Sequence, residues 1–464
     1  MAYIGTKPTI GNFQICDAIS VVNGQAAYTM QVGSVNVIPQ SANHMIVSLN
    51  GTIQKPNSSF TVSGAVITFS SNLATGDVID FIQILGDVLD LGVPSDSTCT
   101  TAKLADDAVT YAKIGYNANP YRNIIINGDM SIAQRGTSQS SLSTGFNTVD
   151  RFEILKSADS AFTESQSTDV PTGQGFANSW KIECTTADAS LNATDYLLRR
   201  QPIEAQNLQY LKFGTASAES ITLSFWIKSS KTGTYIISLR NNDNDRLINQ
   251  SYTISSANTW EKKTLTFAGD TSYGFNNDNG EGLRVQFQLL AGSNYSSGTL
   301  QTTWGTYAHT NSAVGQVNFA DSTSNNLYIT GVQLEAGTSA SDFEFLPHDI
   351  NLQRCQRYYY RINPNGSSGS IGSAAFYSSS SVFTMLEFPT SMRTSPSLET
   401  VTGTDYYNVN RDSDNDPFND FSLNTSNIDS AHLYTDSNVS STTGFAGRTR
   451  FNSASGYVAF SSEL

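Results

Sequence analysis

The sequence contains little charge. Charged residues make up 14% of the 464 residues, and acidic residues outnumber basic ones by 40 to 26, which gives a formal net charge of −14 at pH 7. This charge repels phosphates and anionic membrane surfaces, so a general role in nucleic-acid binding is disfavoured. Ser, Thr, Asn and Gly are abundant instead. The surface is therefore expected to be polar through uncharged side chains.

Cysteine and long apolar runs are also scarce. Cys16, Cys99, Cys184 and Cys355 lie far apart and form no Cys-x-x-Cys pair, so we predict no disulfide framework or structural zinc site and expect folding in a reducing cytosol. No apolar run reaches 18 uncharged residues, and no basic segment precedes an apolar one near the start. Neither a spanning helix nor a signal peptide is predicted.

Motifs for catalysis and for metal or cofactor binding are missing. The four histidines stand outside recognisable motifs, and neither a Gly-x-Ser-x-Gly elbow nor a Gly-Lys-Ser/Thr phosphate loop occurs, so we predict no enzyme and no cofactor. Asp412, Asp414 and Asp416 have the spacing that opens a calcium loop. The loop then has Pro417 in place of Gly and Leu423 in place of Glu, so no metal site is predicted.

The residues that are present predict an all-β protein. Aromatic residues make up 11% of the chain, which is typical of a folded chain rather than a disordered one. In "ITLSFWIKSS", Ile221, Leu223, Phe225 and Ile227 alternate with polar residues, as in a half-buried strand. Many such segments follow one another between Tyr121 and about residue 347. They predict a two-sheet sandwich of the jelly-roll type.

Turn residues support the same conclusion near the N-terminus. In "MIVSLNGTIQ", Asn50-Gly51 suits a type I′ hairpin turn. Gly64 marks a second turn, and "GDVIDFIQIL" is apolar on both faces, which predicts a central strand.

Changes in composition divide the chain into four predicted segments. They are an N-terminal β domain, a connector, a jelly-roll-like β-sandwich and a small C-terminal β domain, over residues 1–92, 93–120, 121–348 and 349–464. In the connector, "TTAKLADDAVTYAKIG" has a thin apolar stripe at helical spacing. One helix cannot bury that stripe alone, so we expect it to pair with the same segment of neighbouring chains.

Several motifs resemble one known family. "RNIIINGDMSIAQRGT", "VDRFEI", "ITGVQLEAGTSASDFEFLP", "CQRYYY" and "FPTSMRTSPS" occur in the order found in distal parts of tail-fibre proteins of tailed bacteriophages. The stretch "VSLNGTIQKPNSSFTVSGAVITFSSNLATGDVIDFI" is similar to the virion-attachment domain of fibres from short-tailed, T7-like phages. The connector resembles the fibre linkers of cyanobacterial phages. The resemblance covers nearly the whole chain, although Asn351 stands where the family often has an acidic residue.

This resemblance implies a homotrimeric fibre of the virion tail, assembled in the cytoplasm of the host bacterium. Its N-terminal domain would attach to adaptor or nozzle proteins of the phage tail. Its distal β domains would recognise a host surface polysaccharide or lipopolysaccharide, without nucleic-acid binding or membrane insertion. Two alternatives stay open: a structural tail component without a receptor, and a polysaccharide-degrading tail spike, whose paired carboxylates would be a tertiary property.

Three aromatic residues are candidates for carbohydrate binding. Trp226 shares a strand face with Thr222, Ser224 and Lys228, opposite the apolar set, so it is expected to line a sheet surface unless a second layer or a neighbouring subunit covers it. Trp304 and Tyr307 lie in a Gly- and Thr-rich stretch without apolar alternation, where a loop could present them or a sheet edge could pack them. Trp180 and Trp260 begin alternating strands and are predicted to lie in the core.

Overall fold

The computed structural model describes residues 13–85, 121–364, 366, 368–411 and 414–464, and it confirms the all-β prediction. The chain divides into two compact units, residues 1–114 and 115–464. The predicted connector, residues 93–120, and its predicted role in trimerisation lie outside the described residues. No helix among the described residues is long and apolar enough to cross a membrane.

The first unit contains small antiparallel sheets around one core. The sheets have the strand orders β1-β9-β5-β6, β2-β8-β7 and β3-β4. Asn50 and Gly51 both have positive φ angles, 52° and 72°, and join β5 to β6, so the predicted type I′ turn is confirmed. The predicted central strand is confirmed as β9, which pairs with both β1 and β5. The strands are β1 (Gln14–Ile15), β2 (Gln25–Thr29), β3 (Gln31–Val32), β4 (Val35–Asn36), β5 (Met45–Leu49), β6 (Thr52–Ile53), β7 (Phe60–Ser63), β8 (Val66–Leu73) and β9 (Ile79–Ile84), with a 3₁₀ helix at Ala42–His44.

The larger part of the second unit is a sandwich of two six-stranded sheets. In sheet order, the first sheet contains β10 (Ser138–Gln139), β12 (Ala161–Ser167), β13 (Ser179–Thr186), β21 (Asn326–Ala336), β15 (Ile221–Ser229) and β18 (Glu261–Phe267). The second sheet contains β11 (Glu153–Ser157), β14 (Tyr196–Glu204), β19 (Glu281–Ala291), β16 (Gly233–Asn241), β17 (Arg246–Ile254) and β20 (Gly305–Thr306). The strand pairs are antiparallel throughout both sheets.

The alternation read from the sequence decides which side of each strand enters this core. In β15 the predicted apolar set is fully buried, and the ring of Phe225 lies 5.2 Å from Phe287 of β19 and 5.2 Å from Tyr252 of β17. These edge-to-face contacts join the two sheets. Trp180 is 1% exposed, which confirms it as a core residue.

The core also contains an ion pair between the sheets. Arg199 of β14 bonds Glu164 of β12, and both side chains are at most 2% exposed. The indole N–H of Trp180 donates to the same carboxylate at 2.7 Å, and the Arg199 guanidinium lies 4.3 Å from the centre of the Trp180 ring. Because each charge is shielded from water, each depends on the other for its stabilisation.

The C-terminal part of the second unit has its own core and two further sheets. Leu352, Cys355 and Tyr359 have helical spacing, but the helix ends at Gln356 and Tyr359 begins a strand. The Asn- and Asp-rich composition after Gly403 is typical of a loop, but Tyr407–Arg411 and Asp414–Phe418 are strands. In sheet order the strands are β27 (Asp414–Phe418), β26 (Tyr407–Arg411), β30 (Ala446–Phe451), β23 (Ser370–Ser378), β24 (Ser381–Glu387), β29 (Ser430–Thr435) and β28 (Ser422–Ser426), then β22 (Tyr359–Ile362), β31 (Val458–Ser461) and β25 (Ser397–Thr400).

The helix α2 (His348–Gln356) and the residues after it fasten this part to the sandwich. Arg357 bonds both carboxylate oxygens of Glu204, at 2.7 and 2.8 Å, and Tyr358 donates to the same carboxylate. Burial raises the pKa of Glu204, but these hydrogen bonds outweigh it and hold the pKa below its usual value. Arg151 pairs with Glu463 in the same region.

Replacing Glu164 by Gln should lower the free energy of unfolding by about 3–5 kcal/mol, because Arg199 would then be a buried charge without a counter-ion. Urea unfolding of the purified chain measures this. Glu219→Gln is the matched control: its partner Lys212 is half-exposed, and we expect a loss below about 1 kcal/mol. Similar losses in the two variants would contradict the buried-pair interpretation.

Asp150 gives a pH prediction. Burial raises its pKa from 3.8 to about 6, against the opposing effects of the Gln134 hydrogen bonds and the Arg135 charge. The folded state therefore binds this proton more tightly than the unfolded state, and the stability present below pH 4 is lost as the pH rises through 6. In urea unfolding from pH 4 to pH 7, Asp150→Asn should gain up to about 3 kcal/mol relative to the natural chain. A difference that stays constant with pH would contradict this assignment.

Candidate glycan-binding groove

The outer face of the second sheet has a floor of polar side chains. Arg200 of β14 pairs with Gln286 of β19, and Leu198 pairs with Gln288 one row further on. These side chains point away from the core because they alternate with buried residues such as Arg199 and Phe287. The strand pattern thus places two amides and a guanidinium side by side on the outside of the sandwich.

One chain segment, residues 292–317, folds over β16 and β17 and forms a wall beside this floor. The backbone carbonyls of Gln301 and Asn311 accept hydrogen bonds from the Asn249 amide, at 3.2 and 3.0 Å. The Gln316 side chain accepts the Ile236 N–H at 2.8 Å. The segment contains α1 (Ser293–Ser296) and a 3₁₀ helix at His309–Asn311. The segment bonds β16 and β17 and also reaches β19, where the Gln316 amide donates to the Leu289 carbonyl at 3.2 Å. We call the polar surface of β14 and β19 beside it the groove.

Four aromatic rings form a continuous row at this groove. Ring centres are separated by 5.2 Å from Tyr196 to Tyr295, 6.0 Å from Tyr295 to His309, and 4.7 Å from His309 to Tyr307. The Arg240 guanidinium ends the row, 3.9 Å from the centre of the Tyr307 ring. All four rings are partly or fully exposed. Burial raises the pKa of Tyr295, so its hydroxyl is a neutral hydrogen-bonding group at pH 7.

The charges along the groove are neutralised locally. Arg200 bonds Glu153 at 2.5 Å. At one end of the groove, Arg284 bonds Glu281 at 2.6 Å and Arg240 bonds Asp245 at 2.6 Å. Desolvation, with smaller contributions from Arg200 and Arg240, lowers the pKa of Arg284 below its usual value. These pairs hold planar donors and acceptors in fixed orientations.

One amide on the floor has no partner. Gln286 is 8% exposed, and its side chain makes no hydrogen bond within the part of the chain that the structure describes. The neighbouring Gln288 amide donates to Ser238 at 3.3 Å. A nearly buried amide that lacks a partner is costly unless water or a ligand satisfies it. The Gln286 amide atoms are not among the buried side-chain atoms that lack a partner, so solvent reaches them and a ligand in the groove can bond them in its place.

This combination matches the chemistry of a sugar. A sugar ring has apolar C–H patches that pack on aromatic rings, and hydroxyls that bond amides and oriented ion pairs. The groove offers both along one line. Among the described residues, no group of three or more His, Cys, Asp or Glu side chains could hold a metal ion.

The structure separates the three residues predicted from the sequence. Tyr307 lies in the groove wall. Trp226 lies on the outer face of the first sheet, between Thr330 of β21 and Lys262 of β18, where it is half-buried and its indole N–H has no hydrogen-bond partner among the described residues. These two residues are therefore on opposite sheets of the sandwich.

Trp304 packs against the core instead of facing the groove. Its ring lies edge-on to Phe213, with centres 5.7 Å apart, and its indole N–H donates to the Ala268 carbonyl at 2.7 Å. Trp260, predicted to be buried, is partly exposed on the outer face of the first sheet, and its N–H donates to Asp169 at 3.0 Å. The core prediction for Trp260 is wrong because this residue precedes β18 and lies outside the alternation.

Sequence reasoning missed most of the groove. Tyr196 belongs to β14, whereas Tyr295 and His309 belong to two different turns of the 292–317 segment. Gln286 looks like any polar residue of an alternating strand. The one local signal was the pair of outward polar residues in β19, Gln286 and Gln288, which the alternation alone could have identified.

Comparisons with known proteins give only remote likenesses. No protein-family model matches the chain, and no curated protein sequence matches it. Among solved structures, the enzymatically active domain of tailspike protein 4 of bacteriophage CBA120 aligns with 47% of this chain at 14% identity and a TM-score of 0.27. The chain spans 22% of the length of that tailspike structure.

Carbohydrate-binding modules align as well. The N-terminal tandem of two family 22 modules of Xyn10C from Paenibacillus barcinonensis covers 70% of this chain and 79% of its own, at 13% identity and a TM-score of 0.24. A family 61 module in complex with β-1,4-galactotriose covers 46% of this chain and 99% of its own, at 8% identity and a TM-score of 0.24.

Trp304→Ala should lower the free energy of unfolding by about 2 kcal/mol, because it removes a ring from the edge of the core and leaves the Ala268 carbonyl without its donor. Urea unfolding measures the loss. Trp304→Phe is the control that keeps a ring against Phe213 and should recover part of it. A Trp304→Ala chain of unchanged stability would mean that Trp304 is free to serve as a surface ligand group.

Proposed function

We propose that this protein is an adhesion protein without catalytic activity, which recognises a host surface glycan through the groove on the second sheet. The observation that carries the proposal is the aromatic row from Tyr196 to Tyr307 beside the partnerless amide of Gln286. The aromatic rings supply contact area at little entropic cost, and hydrogen bonds from the amide and the ion pairs orient the bound sugar.

The setting that we propose is a tail fibre of a bacteriophage virion. The order of the motifs shared with tail-fibre proteins supports this, as does the resemblance of residues 1–92 to attachment domains of T7-like fibres. In this proposal the N-terminal domain binds adaptor or nozzle proteins of the phage tail, and residues 93–120 help to form a homotrimer. Three chains per fibre would convert weak single sites into tight attachment.

The proposed partner is a polysaccharide or lipopolysaccharide rather than nucleic acid. A net charge of −14 repels nucleic acid, and the arginines of the groove are already paired with acids. Hydroxyl-rich ligands need oriented hydrogen bonds more than net charge. The low charge and the abundance of Ser, Thr and Asn suit such a surface.

The test is binding of the fluorescently labelled full chain to bacterial cells, including strains stripped of surface polysaccharide. We expect saturable binding that the stripped strains lose. Tyr295→Ala should weaken binding about tenfold, since one stacked ring contributes about 1–1.5 kcal/mol. The matched control is Tyr377→Ala on the separate C-terminal sheet, where the ring is 73% exposed.

Three results would contradict the proposal. Unchanged binding by folded Tyr295→Ala together with a loss in Trp226→Ala would move the site to the first sheet. Equal binding to the stripped strains would mean that the receptor is not a surface glycan. Release of reducing sugar ends from host polysaccharide by the purified chain would make it an enzyme.

A further inference from the structure

A cavity lies at the end of β14, where helix α2 meets the sandwich. Its volume is about 420 Å³, which falls in the range of about 300–1,000 Å³ that is usual for small-ligand sites. Its walls come from the segment after Tyr121, the end of β14, the 3₁₀ helix Ala205–Leu211 and α2. It is therefore built from elements of the second unit alone.

The cavity contains a cation whose charge is not paired. Arg354 of α2 has no acidic side chain within ion-pair distance among the described residues, and its single hydrogen bond is to the Asn123 carbonyl at 3.4 Å. The nearby Glu344 carboxylate already accepts the backbone N–H groups of Tyr121 and Asn123, at 2.7 and 2.9 Å. Arg357, one turn later, is bound by both oxygens of Glu204. Burial lowers the pKa of Arg354, as expected for a cation that lacks a counter-ion.

The other walls offer uncharged polar groups and aromatic rings. Tyr121 and Tyr210 are 60% and 49% exposed, and both line the cavity. Their hydroxyls and the Asn207 amide make no hydrogen bond within the described residues. The site therefore combines one unpaired guanidinium with two rings and an amide, all open to a ligand.

We propose that this cavity is a second ligand site, which takes a sugar residue bearing a carboxylate. The carboxylate bonds the Arg354 guanidinium, and the sugar ring lies between Tyr210 and Tyr121 with a hydroxyl on Asn207. A neutral sugar leaves the guanidinium unpaired, and a bare anion leaves the rings and the amide empty. The choice of a sugar rests on the proposed function, whereas the need for an anion rests on Arg354 alone.

The test is calorimetric titration of the full chain with methyl β-glucuronide, methyl β-glucoside and acetate. We expect the glucuronide to bind at least about tenfold more tightly than either of the others. Arg354→Gln should reduce glucuronide binding about tenfold or more, and Arg354→Lys, which keeps the charge but not the fork of donors, should reduce it less. The control is Arg448→Gln, an exposed arginine of β30. Thermal unfolding confirms that each variant folds.

Specific outcomes overturn the inference. Acetate that binds as tightly as the glucuronide would make the cavity a plain anion site, and glucoside that binds equally would make Arg354 irrelevant. Glucuronide binding that Tyr295→Ala abolishes and Arg354→Gln leaves intact would place the acidic sugar in the groove. If Tyr295→Ala reduces cell binding and Arg354→Gln reduces glucuronide binding, the groove and the cavity are two independent binding sites. Loss of cell binding alone would overturn the proposed function and not this inference.

Discussion

The burial of arginine against glutamate between structural layers is the constraint on which this architecture depends. Arg199 and Glu164 join the two sheets of the sandwich, and Arg357 and Glu204 join the sandwich to the C-terminal part. A charge removed from water is tolerated only with a well-placed partner, so each pair fixes the distance and orientation between the elements that carry it. In a chain with so few charges, these pairs determine how the layers meet.

Strand β14 connects these constraints with the candidate sites. Arg199 points inward to the ion pair of the core, and Arg200 points outward to the groove floor, because successive side chains alternate across a strand. The strand ends at Glu204, which holds the segment after α2, and Arg354 lies on α2 itself. The position of Arg354 at its cavity therefore depends on the same strand that carries the floor of the groove.

Local patterns predicted the elements but not their assembly. Alternation identified the core face of β15, and Asn50-Gly51 fixed a hairpin, because both signals act between residues close in sequence. The aromatic row brings Tyr196 together with Tyr295 and Tyr307 through the path of a covering segment, which no periodicity encodes. The alternation of side chains along β15 correctly predicted Trp226 on an outer face. It could not predict that Tyr307 would lie on the other sheet.

The overall charge and the unpaired guanidinium of Arg354 act at different distances. A net charge of −14 repels an acidic polysaccharide at long range, and salt screens that repulsion within roughly 8–10 Å at ordinary ionic strength. A guanidinium recessed in a cavity is screened much less, so its attraction for a carboxylate persists where the repulsion has faded. The groove, whose arginines are all paired, gains little from either effect. In an acidic protein, a cation that is both unpaired and sheltered is thus the group best able to attract an acidic sugar, and Arg354 meets both conditions in the described chain.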